Sequence, residues 1–520
     1  MDRHCRVVAD IAAKVRKLHQ DEQPYRVCHG SSHSTRPRHG SKDNVLDIGM
    51  LSNVLSVDQN RQTVLVEPNV PMDRLVEATL ACHLIPPVVM EFPGITVGGG
   101  FSGTSGESSS FRHGFFDDTV ESVEMVLGNG DVVRASRQER PDLFQGAAGA
   151  VGTLGIVTLV EVRLVRAKTW VKTTYQRFDR LGPAIADIQA QTNDADNDYV
   201  DGIVFSRSHS VVITGQLTDV KPDDCPAQTF SDAGDPWFYL HVQDRTKRLE
   251  AMGAAVEFIP LCEYLFRYDR AGFWVGRQGY TYFKVVPFTR FFRWLLDDYS
   301  HTRTLYHALH ASGISSQFVV QDLALPYHAA ETFINWVDHN LGIWPIWLCP
   351  LRGCVQPTFH PVTPDFAGDK WRATQDTAHK AANISQPMLN IGVWGWGPGE
   401  SSTFIERNRA LEQVLRDLGG RKWLYSQTFY TEREFWDEYD WPWYQSLRKK
   451  YCATTLPTVY DKVQGRVMAE QKKHGDWKAS WLSAWPIGGL YGMLLATISG
   501  DIYLHRQALW RHRKGTAGSS

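Results

Sequence analysis

Small and hydroxyl-bearing residues fill the segment TVGGGFSGTSGESSS, which begins at Thr96. Gly98, Gly100 and Gly103 have the G-x-G-x-x-G spacing of dinucleotide-binding turns. Seven of the ten residues that end at Glu107 are Gly or Ser, and Glu107 is the first charged residue of the run. Because Gly loses the most backbone entropy on folding, such a run is typical of a position where a ligand approaches the backbone closely. The chemistry that it predicts is the binding of a phosphate-bearing ligand.

The surrounding sequence distinguishes between the types of nucleotide-binding turn that these glycines could form. A Rossmann unit needs an uninterrupted strand before the glycines and a helix that begins within them. Pro87 and Pro93 interrupt the approach, and TSGESSSFRHG after the glycines is a poor helix former. A P-loop needs a terminal Gly-Lys-Ser or Gly-Lys-Thr, which this run does not have.

Two interpretations stay open. One is a glycine-rich turn without a ligand. The other is a loop whose successive amides cradle a pyrophosphate without a Rossmann helix. The second is favoured, because Tyr25–Ser41 is another loop of small residues that could hold the opposite side of a long cofactor.

The elements that must position these loops follow from hydrophobic periodicity and turn signals. An amphipathic helix is predicted where Val7, Ile11 and Val15 recur at helical spacing. The sequence further predicts a strand over Thr63–Val66, a helix that begins near Pro71, a β-hairpin around Asn129-Gly130 and a β-rich run over 152–165. From about Lys168 the aromatic content rises, and strands are predicted in ISSQFVVQDLALP, IWPIWLCPL and NIGVWGWG.

Size and composition bound the class of protein. The chain has 520 residues, so two or more domains are expected. Apolar residues make up 43% and charged residues 22% of the sequence, which is typical of a folded protein. The net charge is −2, so the protein has no overall positive charge that would attract nucleic acid. The eight cysteines are scattered and form no C-x-x-C pair, so neither a disulfide framework nor a metal site is expected. The charged N-terminus does not have the pattern of a signal peptide.

Residues 479–500, ASWLSAWPIGGLYGMLLATISG, carry no charge and are long enough to span a bilayer. Pro486 and the glycines that follow it argue against a clean spanning helix. A basic tail comes next, which the positive-inside rule keeps cytosolic. We therefore expect a re-entrant or interfacial membrane anchor. The alternative is a C-terminal helix packed on the body of the protein.

Four motifs occur in an order known from one class of flavoproteins. They are VEPNV at 66–70, PGITVGGG at 93–100, GFFDDTV at 114–120 and GTLGIV at 152–157. Together they resemble the FAD-binding PCMH-type domain of the vanillyl-alcohol oxidase superfamily. The resemblance implies that FAD is the dinucleotide.

Further motifs extend the resemblance to roughly residues 5–470. GTSGESSSFRHGFF, VVQD at 319–322, PIWLCP at 345–350, EREFWDEYD at 432–440 and YDKV at 460–463 are similar to the Δ24-sterol reductase (24-dehydrocholesterol reductase) family. This implies an FAD-dependent oxidoreductase that reduces an isolated carbon–carbon double bond in the side chain of a sterol or related triterpenoid, with NADPH as reductant. It also implies that the protein is located at the membrane surface on the cytosolic face of the endoplasmic reticulum. The alternative location is the cytoplasm. The sequence does not indicate an oligomeric state.

The resemblance implies an α+β fold. The expected parts are a two-subdomain PCMH-type FAD-binding domain over 1–166, an α/β cap or substrate domain over 167–430, a return to the FAD domain over 431–475, and an apolar segment with a basic tail over 476–520. Animal members of the family carry an N-terminal membrane helix that this sequence does not show, so residues 479–500 are expected to do that work.

The same resemblance assigns the cofactor-binding residues. They are Gly30, Ser31, Ser32, His33, Ser34, Thr96, Val97, Gly98, Gly99, Gly100, Phe101, Ser102, Gly103, Thr104, Ser105, Gly106, Glu107, Ser108, Gly114, Gly152, Gly155 and Ile156. HGSSHS at 29–34 is similar to the R-G-G-G-H-S loop of flavoenzymes whose His is covalently joined to FAD, and His33 falls at that position. The reductase family implies non-covalent FAD, so a covalent link at His33 is the alternative.

Reduction of an isolated alkene restricts the catalytic groups. Since no carbonyl stabilises an anion, the proton must arrive with or before the hydride, from an acid in a dry site. The candidate donors are Glu107, His113 and Asp322. Each has a structural alternative: Glu107 could bond backbone or ribose, His113 could orient the turn at Gly114, and Asp322 could pair with an arginine.

Three other functions stay open at this point. A flavin oxidase of an alcohol or sugar would use O2. An inactive flavin-binding protein would use its C-terminal apolar and basic segments to bind membrane or partners. A Rossmann reductase would bind a nicotinamide cofactor alone and be colourless.

Overall fold

The computed structural model describes residues 1–29, 44–312, 317–362, 385–397, 401–464 and 485–512. These residues build a five-stranded sheet, an eight-stranded sheet and two two-stranded sheets, with helices packed around them. The expected α+β class is confirmed. One continuous hydrophobic core extends from the first helix through both large sheets, and a second core lies under the outer helices of the eight-stranded sheet.

The N-terminal part is built around the five-stranded sheet, which has the order β3-β4-β8-β6-β7 and only antiparallel pairs. Its elements are α1 (Asp2–Gln20), β1 (Arg26–Cys28), β2 (Val45–Asp47), β3 (Val54–Asp58), β4 (Thr63–Val66), α2 (Met72–Leu80), β5 (Leu84–Ile85), α3 (Val97–Gly103), α4 (Ser110–His113), β6 (Val120–Val126), β7 (Val132–Ser136), α5 (Pro141–Ala147), β8 (Ile156–Arg163) and β9 (Val165–Arg166). β1 and β2 form a small parallel pair, and β5 pairs with β9.

Helix α1 and the β6–β7 hairpin confirm two predictions from the sequence. α1 buries Ile11 and Val15 as the periodicity indicates, whereas Val7 is half-buried and its neighbour Val8 is the buried residue of that turn. The hairpin turns at Asn129-Gly130, and Gly130 has the positive φ of +84° that such turns need. The two elements meet, because a Cβ at Gly130 would lie 2.7 Å from the carbonyl oxygen of Ala12.

The eight-stranded sheet has the order β13-β10-β12-β11-β15-β16-β14-β17. Its elements are β10 (Trp170–Phe178), α6 (Leu181–Gln191), β11 (Tyr199–Ser206), β12 (His209–Thr218), α7 (Phe238–Thr246), β13 (Ala254–Pro260), α8 (Leu261–Leu265), α9 (Val275–Phe283), α10 (Arg290–Leu295), α11 (Thr302–Ala311), β14 (Phe318–Leu325), α12 (Tyr327–Asn340), β15 (Ile346–Leu351), β16 (Met388–Trp396), α13 (Ser401–Asp417) and β17 (Arg421–Lys422). Every strand pair in it is antiparallel, so the expected α/β type is wrong for this part. Its helices do not link parallel strands as crossovers, which is the arrangement that α/β implies.

Helices α6, α12 and α13 cover one face of this sheet and enclose the second core. β14 is buried at every position, as a strand covered on both faces must be. Its other face looks toward the N-terminal part, and a cavity lined by residues of both parts lies between the two.

The C-terminal elements are α14 (Glu432–Glu438), α15 (Trp441–Lys450), α16 (Val459–Val463), α17 (Ile487–Ile498) and α18 (Asp501–Arg506). α17 has twelve residues and packs its glycine face on α11, where a Cβ at Gly492 would lie 2.4 Å from the carbonyl oxygen of Ala308. Within the described part of the protein, no helix combines the length and apolar character that a transmembrane span requires. The part of the uncharged segment before residue 485 lies outside the described residues.

Candidate active site

A cavity of about 960 Å³ extends from the glycine segment to the eight-stranded sheet. At one end it is lined by Arg26, the glycine segment and the loop before β8, and by residues 455–464 near α16. At the other end it is lined by Glu91, Glu107 and a set of aromatic side chains. The two ends therefore differ in chemistry: one offers backbone amides and cations, and the other offers apolar rings with two carboxyl groups.

The glycine segment is helical where the sequence predicts a loop. α3 begins after Thr96, whose hydroxyl accepts from the Gly99 amide at 3.2 Å. A Cβ at Gly98 would lie 2.6 Å from Pro68 Cβ, and a Cβ at Gly100 would lie 2.6 Å from Met90 Cε. Close packing therefore requires these glycines and overrides their poor helix propensity. The loop prediction is wrong for 97–103, while 104–107 do connect α3 to the next turn without regular structure.

The polar end of the cavity fits a phosphate-bearing dinucleotide. Thr104 Oγ1 and Arg26 Nε are buried and have no hydrogen-bond partner among the described residues, and both residues line the cavity. A Cβ at Gly103 would meet no protein atom within 4 Å, so the backbone is open to a ligand there. Lys462 adds a second cation to the lining and donates to the carbonyl oxygens of Val151 and Gly152 at 3.1 and 3.3 Å.

The residues expected to bind the cofactor divide into three groups. Those that line the cavity are Thr96, Gly98, Gly99, Ser102, Gly103, Thr104, Ser105, Gly106, Glu107, Gly152, Gly155 and Ile156. Those that are buried behind the cavity wall are Val97, Gly100, Phe101, Ser108 and Gly114. Those that lie outside the described residues are Gly30, Ser31, Ser32, His33 and Ser34.

Glu107 lies where the polar end meets the apolar end. Its amide donates to Ser110 Oγ at 2.8 Å, which fixes the turn into α4. Its carboxyl neighbours that of Glu91 closely enough for each to perturb the pKa of the other. Arg267 Nη2 lies 3.0 Å from Glu91 Oε1 and 2.9 Å from Asp201 Oδ2. One cation therefore stands beside a group of three carboxyls.

Burial and like charge raise the pKa values of this group. Burial raises the pKa of Glu91 to about 7, against the lowering effect of Arg267. Burial raises the pKa of Glu107 well above its usual range, and the nearby Glu91 raises it further. These carboxyls are suited to hold a proton at neutral pH, as a general acid must.

Asp322 does not line the cavity. It lies on the cavity face of β14, where it accepts from Asn390 Nδ2 and Trp394 Nε1 at 3.0 Å each and from the hydroxyl of Tyr425. Burial raises the pKa of Asp322 to about 6. These three partners line the cavity, so Asp322 acts on it through them. The structural alternative for Asp322, a pair with an arginine, is wrong, because its partners are an amide, an indole and a phenol.

His113 does not line the cavity either and ends α4. Burial lowers the pKa of His113 to about 4, and the neighbouring cations Arg112, Arg163 and Arg352 lower it further. A neutral imidazole in that environment has no proton to give at ordinary pH. The structure therefore removes His113 from the candidate donors, and Gly114 after it adopts the expected turn with a φ of +82°.

The apolar end is lined by aromatic side chains from three different elements and from the connections between elements. They are Phe92, Phe273, Tyr306, Trp347, Trp394 and Trp423. Phe273 stacks on Tyr268 with ring centroids 3.9 Å apart and meets Trp394 edge to face at 4.6 Å. Such a wall suits a flat apolar ligand, and the carboxyls at its edge are the only acidic side chains of the described cavity lining apart from Asp461 near α16.

Sequence reasoning missed several residues of this site. Glu91 lies in the proline-broken stretch IPPVVMEFPG, where no spacing links it to Glu107. Tyr425 and Asn390 come from segments far along the sequence, and Arg267 lies after α8. A lone charge inside a predominantly apolar stretch is the one signal that could have marked Glu91.

Comparisons with known proteins agree with the motifs. The family model described as "FAD binding domain" matches residues 4–136. The protein is 28% identical over 424 residues to Delta(24)-sterol reductase of Macaca fascicularis, across 79% of its own length and 76% of the relative. It is 28% identical over 464 residues to Delta(24)-sterol reductase of Arabidopsis thaliana, across 83% and 78%. It is 24% identical over 441 residues to Delta(24)-sterol reductase homolog dhcr-24 of Caenorhabditis elegans, across 79% and 77%. The resemblance drawn from the motifs is confirmed.

Proposed function

We propose that this protein, an FAD-dependent oxidoreductase with an FAD binding domain over residues 4–136, reduces an isolated carbon–carbon double bond in the side chain of a sterol or related triterpenoid. The observation that carries the proposal is the single cavity with two chemically different ends, which meet at Glu107. Relatives named Delta(24)-sterol reductase support the substrate class.

The polar end would hold the cofactor. Arg26, Thr104 and the open backbone at Gly103 are the groups that fit its phosphates and the adjoining sugar. When bound, FAD supplies a hydride, and we propose NADPH as the donor that renews it. The link to the protein is proposed to be non-covalent, so acid precipitation of the protein should leave the flavin in solution.

The apolar end would hold the substrate. An isolated alkene has no polar handle, so its position must come from shape and from aromatic contact with the walls. Phe273, Trp347 and Trp394 form such walls next to Glu107. Exclusion of water there would protect the reduced state from side reactions and strengthen every charge interaction.

The deciding experiment is anaerobic reduction of the purified protein with NADPH, followed by addition of sterols with or without an alkene in the side chain. We expect rapid reoxidation of the flavin by desmosterol-like alkenes and none by their saturated counterparts. If O2 alone reoxidises the flavin and no alkene does, the protein is an oxidase and the reductase proposal fails.

We also propose that the protein works at a membrane surface on the cytosolic face of the endoplasmic reticulum. Eleven of the eighteen exposed large apolar side chains of the described residues lie within 285–295 and 485–509. The two segments are neighbours, since Lys284 Nζ lies 5.8 Å from the Trp485 ring and Tyr299 Oη lies 2.8 Å from Thr497 Oγ1. A clustered apolar surface of this kind is typical of interfacial binding, and a sterol substrate would reside in the same membrane.

A further inference from the structure

Four ionisable side chains meet at the wall of the cavity. Glu91, Asp201 and Arg267 are buried, with exposures of 4%, 0% and 1%. Glu107 is half-buried, because one side of it faces the cavity. If all four were ionised, three negative charges would face one positive charge in a medium that solvates charge poorly. Such a set loses stability unless one carboxyl takes up a proton.

Asp201 is the carboxyl of this group that receives the most hydrogen bonds. It accepts from Arg267 Nη2 at 2.9 Å, from the Tyr268 hydroxyl at 3.0 Å and from Trp347 Nε1 at 3.1 Å. Three donors on one carboxyl favour its charged form. The proton that the group needs therefore belongs to Glu91 or Glu107.

Arg267 decides between these two. Its guanidinium lies 3.0 Å from Glu91 Oε1 and is fixed from the other side by the rings of Tyr264 and Tyr268, at 4.2 and 4.8 Å from their centroids. Glu107 is not reached by an ion pair among the described residues. Arg267 stabilises the ionised form of Glu91, and ionised Glu91 in turn disfavours ionisation of Glu107, so the proton that the pair shares resides on Glu107.

We infer that Glu107 is the proton donor of the reductase proposed above, and that Glu91 and Arg267 are positioning residues that keep the proton on Glu107. The inference rests on the proposed function for its chemistry. In the step, the alkene π bond breaks, the Glu107 O–H bond breaks, and its proton forms a C–H bond at one alkene carbon. FAD bound at the polar end would supply the hydride for the C–H bond at the other carbon, so that the alkene would be reduced and the flavin oxidised. NADPH, the proposed reductant, would renew the reduced flavin, and Glu107 would regain its proton from solvent.

Other groups face this pair from the packed elements. They are Asp201, Tyr264, Tyr268, Asp322, Cys349 and Tyr425. Burial raises the pKa of each of the three tyrosines and of the cysteine, so these four stay neutral at physiological pH. Asp201 and Asp322 add negative charge, which raises the pKa values of the glutamates further. Of the charged neighbours, Glu91 and Asp322 therefore favour a protonated Glu107, and Arg267 opposes it.

The first test does not depend on the reaction. Infrared difference spectra between neutral and alkaline pH should show the carbonyl stretch of a protonated carboxylic acid in the flavin-loaded protein. We expect this band to disappear in E107Q and to persist in E257Q, which changes a buried carboxylate of the eight-stranded sheet that does not line the cavity. A band that is absent from the native protein, or unaffected by E107Q, overturns the inference.

The second test follows the reaction. E107Q should keep reduction by NADPH and lose reoxidation by the alkene by about 100-fold or more, the usual size of a general-acid contribution. E107D should recover part of the rate. E91Q removes the like charge beside Glu107, so the decline of the rate with rising pH should begin about one unit lower than in the native protein.

A merely structural role of Glu91 would lower the rate without moving this pH profile. An unshifted profile in E91Q, or native alkene turnover in E107Q, overturns the inference. If no alkene reoxidises the flavin of the native protein, the proposed function fails and the donor role fails with it. The infrared band then still decides whether the pair holds a proton.

Discussion

Arg303 and Asp73 join the two halves of the molecule through a two-point ion pair. Arg303 Nη1 and Nη2, on α11, donate to the two carboxylate oxygens of Asp73, on α2, at 2.8 and 2.9 Å. Arg303 Nη2 also donates to the carbonyl oxygen of Pro93 at 3.2 Å, directly before the glycine segment. One side chain of the second half thus ties down the helix and the turn that lead into the cofactor end of the cavity.

Removal of this arginine should be costly. Asp73 is 1% exposed, so R303M would leave a buried carboxylate without its cation. We expect the free energy of unfolding to fall by about 3–5 kcal/mol, measured by urea titration. K168A is the matched control, because it breaks the exposed Lys168–Asp219 pair and should leave stability nearly unchanged. Equal loss in the two variants would contradict the role of the buried pair.

Substitutions of two glycines in α3 should distinguish an effect on folding stability from an effect on cofactor binding. A Cβ at Gly98 would overlap Pro68 at 2.6 Å, so G98A should lower stability by about 1–3 kcal/mol through overpacking. A Cβ at Gly103 would meet only cavity, so G103A should keep the stability of the flavin-free protein and lose flavin affinity. Bound flavin is read from visible absorbance after gel filtration. Native flavin content in G103A would place the cofactor elsewhere.

The apolar face of α17 should bind membranes. Leu490, Leu494 and Ile498 recur one turn apart and are 57%, 54% and 70% exposed. L490Q/L494Q/I498Q should abolish flotation with phosphatidylcholine–phosphatidylserine vesicles while it keeps flavin content. V220Q is the control, because Val220 is 76% exposed on a different part of the surface. Unchanged flotation of the triple variant would refute the membrane contact. The contact would also be refuted if the native protein binds no vesicles and the triple variant loses only self-association.

The C-terminal helix α18 should make the protein sensitive to acid. His505 stacks on His301 with ring centroids 4.0 Å apart, and burial together with that neighbour lowers the pKa of His505 from 6.5 to about 4. The unfolded protein therefore binds this proton more readily than the folded one, so the contribution of His505 to stability is complete above pH 6.5 and is lost as pH falls toward 4. The loss amounts to about 3 kcal/mol by the linkage relation.

H505Q should flatten this part of the stability curve, measured as the free energy of unfolding at several pH values. His301 has the opposite pH dependence, because its carboxylate neighbours Asp269 and Asp297 raise its pKa against the effect of burial. Its contribution to stability is therefore present at low pH and is lost as pH rises through its pKa in the folded protein. H339Q changes an exposed histidine of α12 and should keep the native acid sensitivity. An equally steep acid decline in H505Q would exclude His505 as its source.

Local signals in the sequence predicted much of the framework. The spacing of Val7, Ile11 and Val15 predicted an amphipathic α1, of which Ile11 and Val15 are buried and Val7 is half-buried, and Asn129-Gly130 predicted the hairpin. Strands such as β14 and β15 followed from short apolar runs bounded by turn residues. These features depend on residues that are close in the sequence, so one sequence is enough to indicate them.

The cofactor class was determined in the same way. Four motifs in a fixed order indicated FAD, and the glycine run indicated close approach of a ligand to the backbone. Even so, the sequence predicted a loop over 97–103. The helix there exists because Pro68, Met90 and Phe116 pack directly on Gly98 and Gly100, which no local propensity can indicate.

Only the tertiary structure decided the acid chemistry. The sequence proposed Glu107, His113 and Asp322 without deciding between them. In the fold, Glu107 lines the cavity and His113 lies near several arginines. Asp322 lies behind Tyr425, whose hydroxyl donates to it. Glu91 and Arg267 join Glu107 from positions 16 and 160 residues away in the sequence. Protonation of a buried carboxyl depends on desolvation and on charges within a few ångströms, and both are set by packing between distant segments.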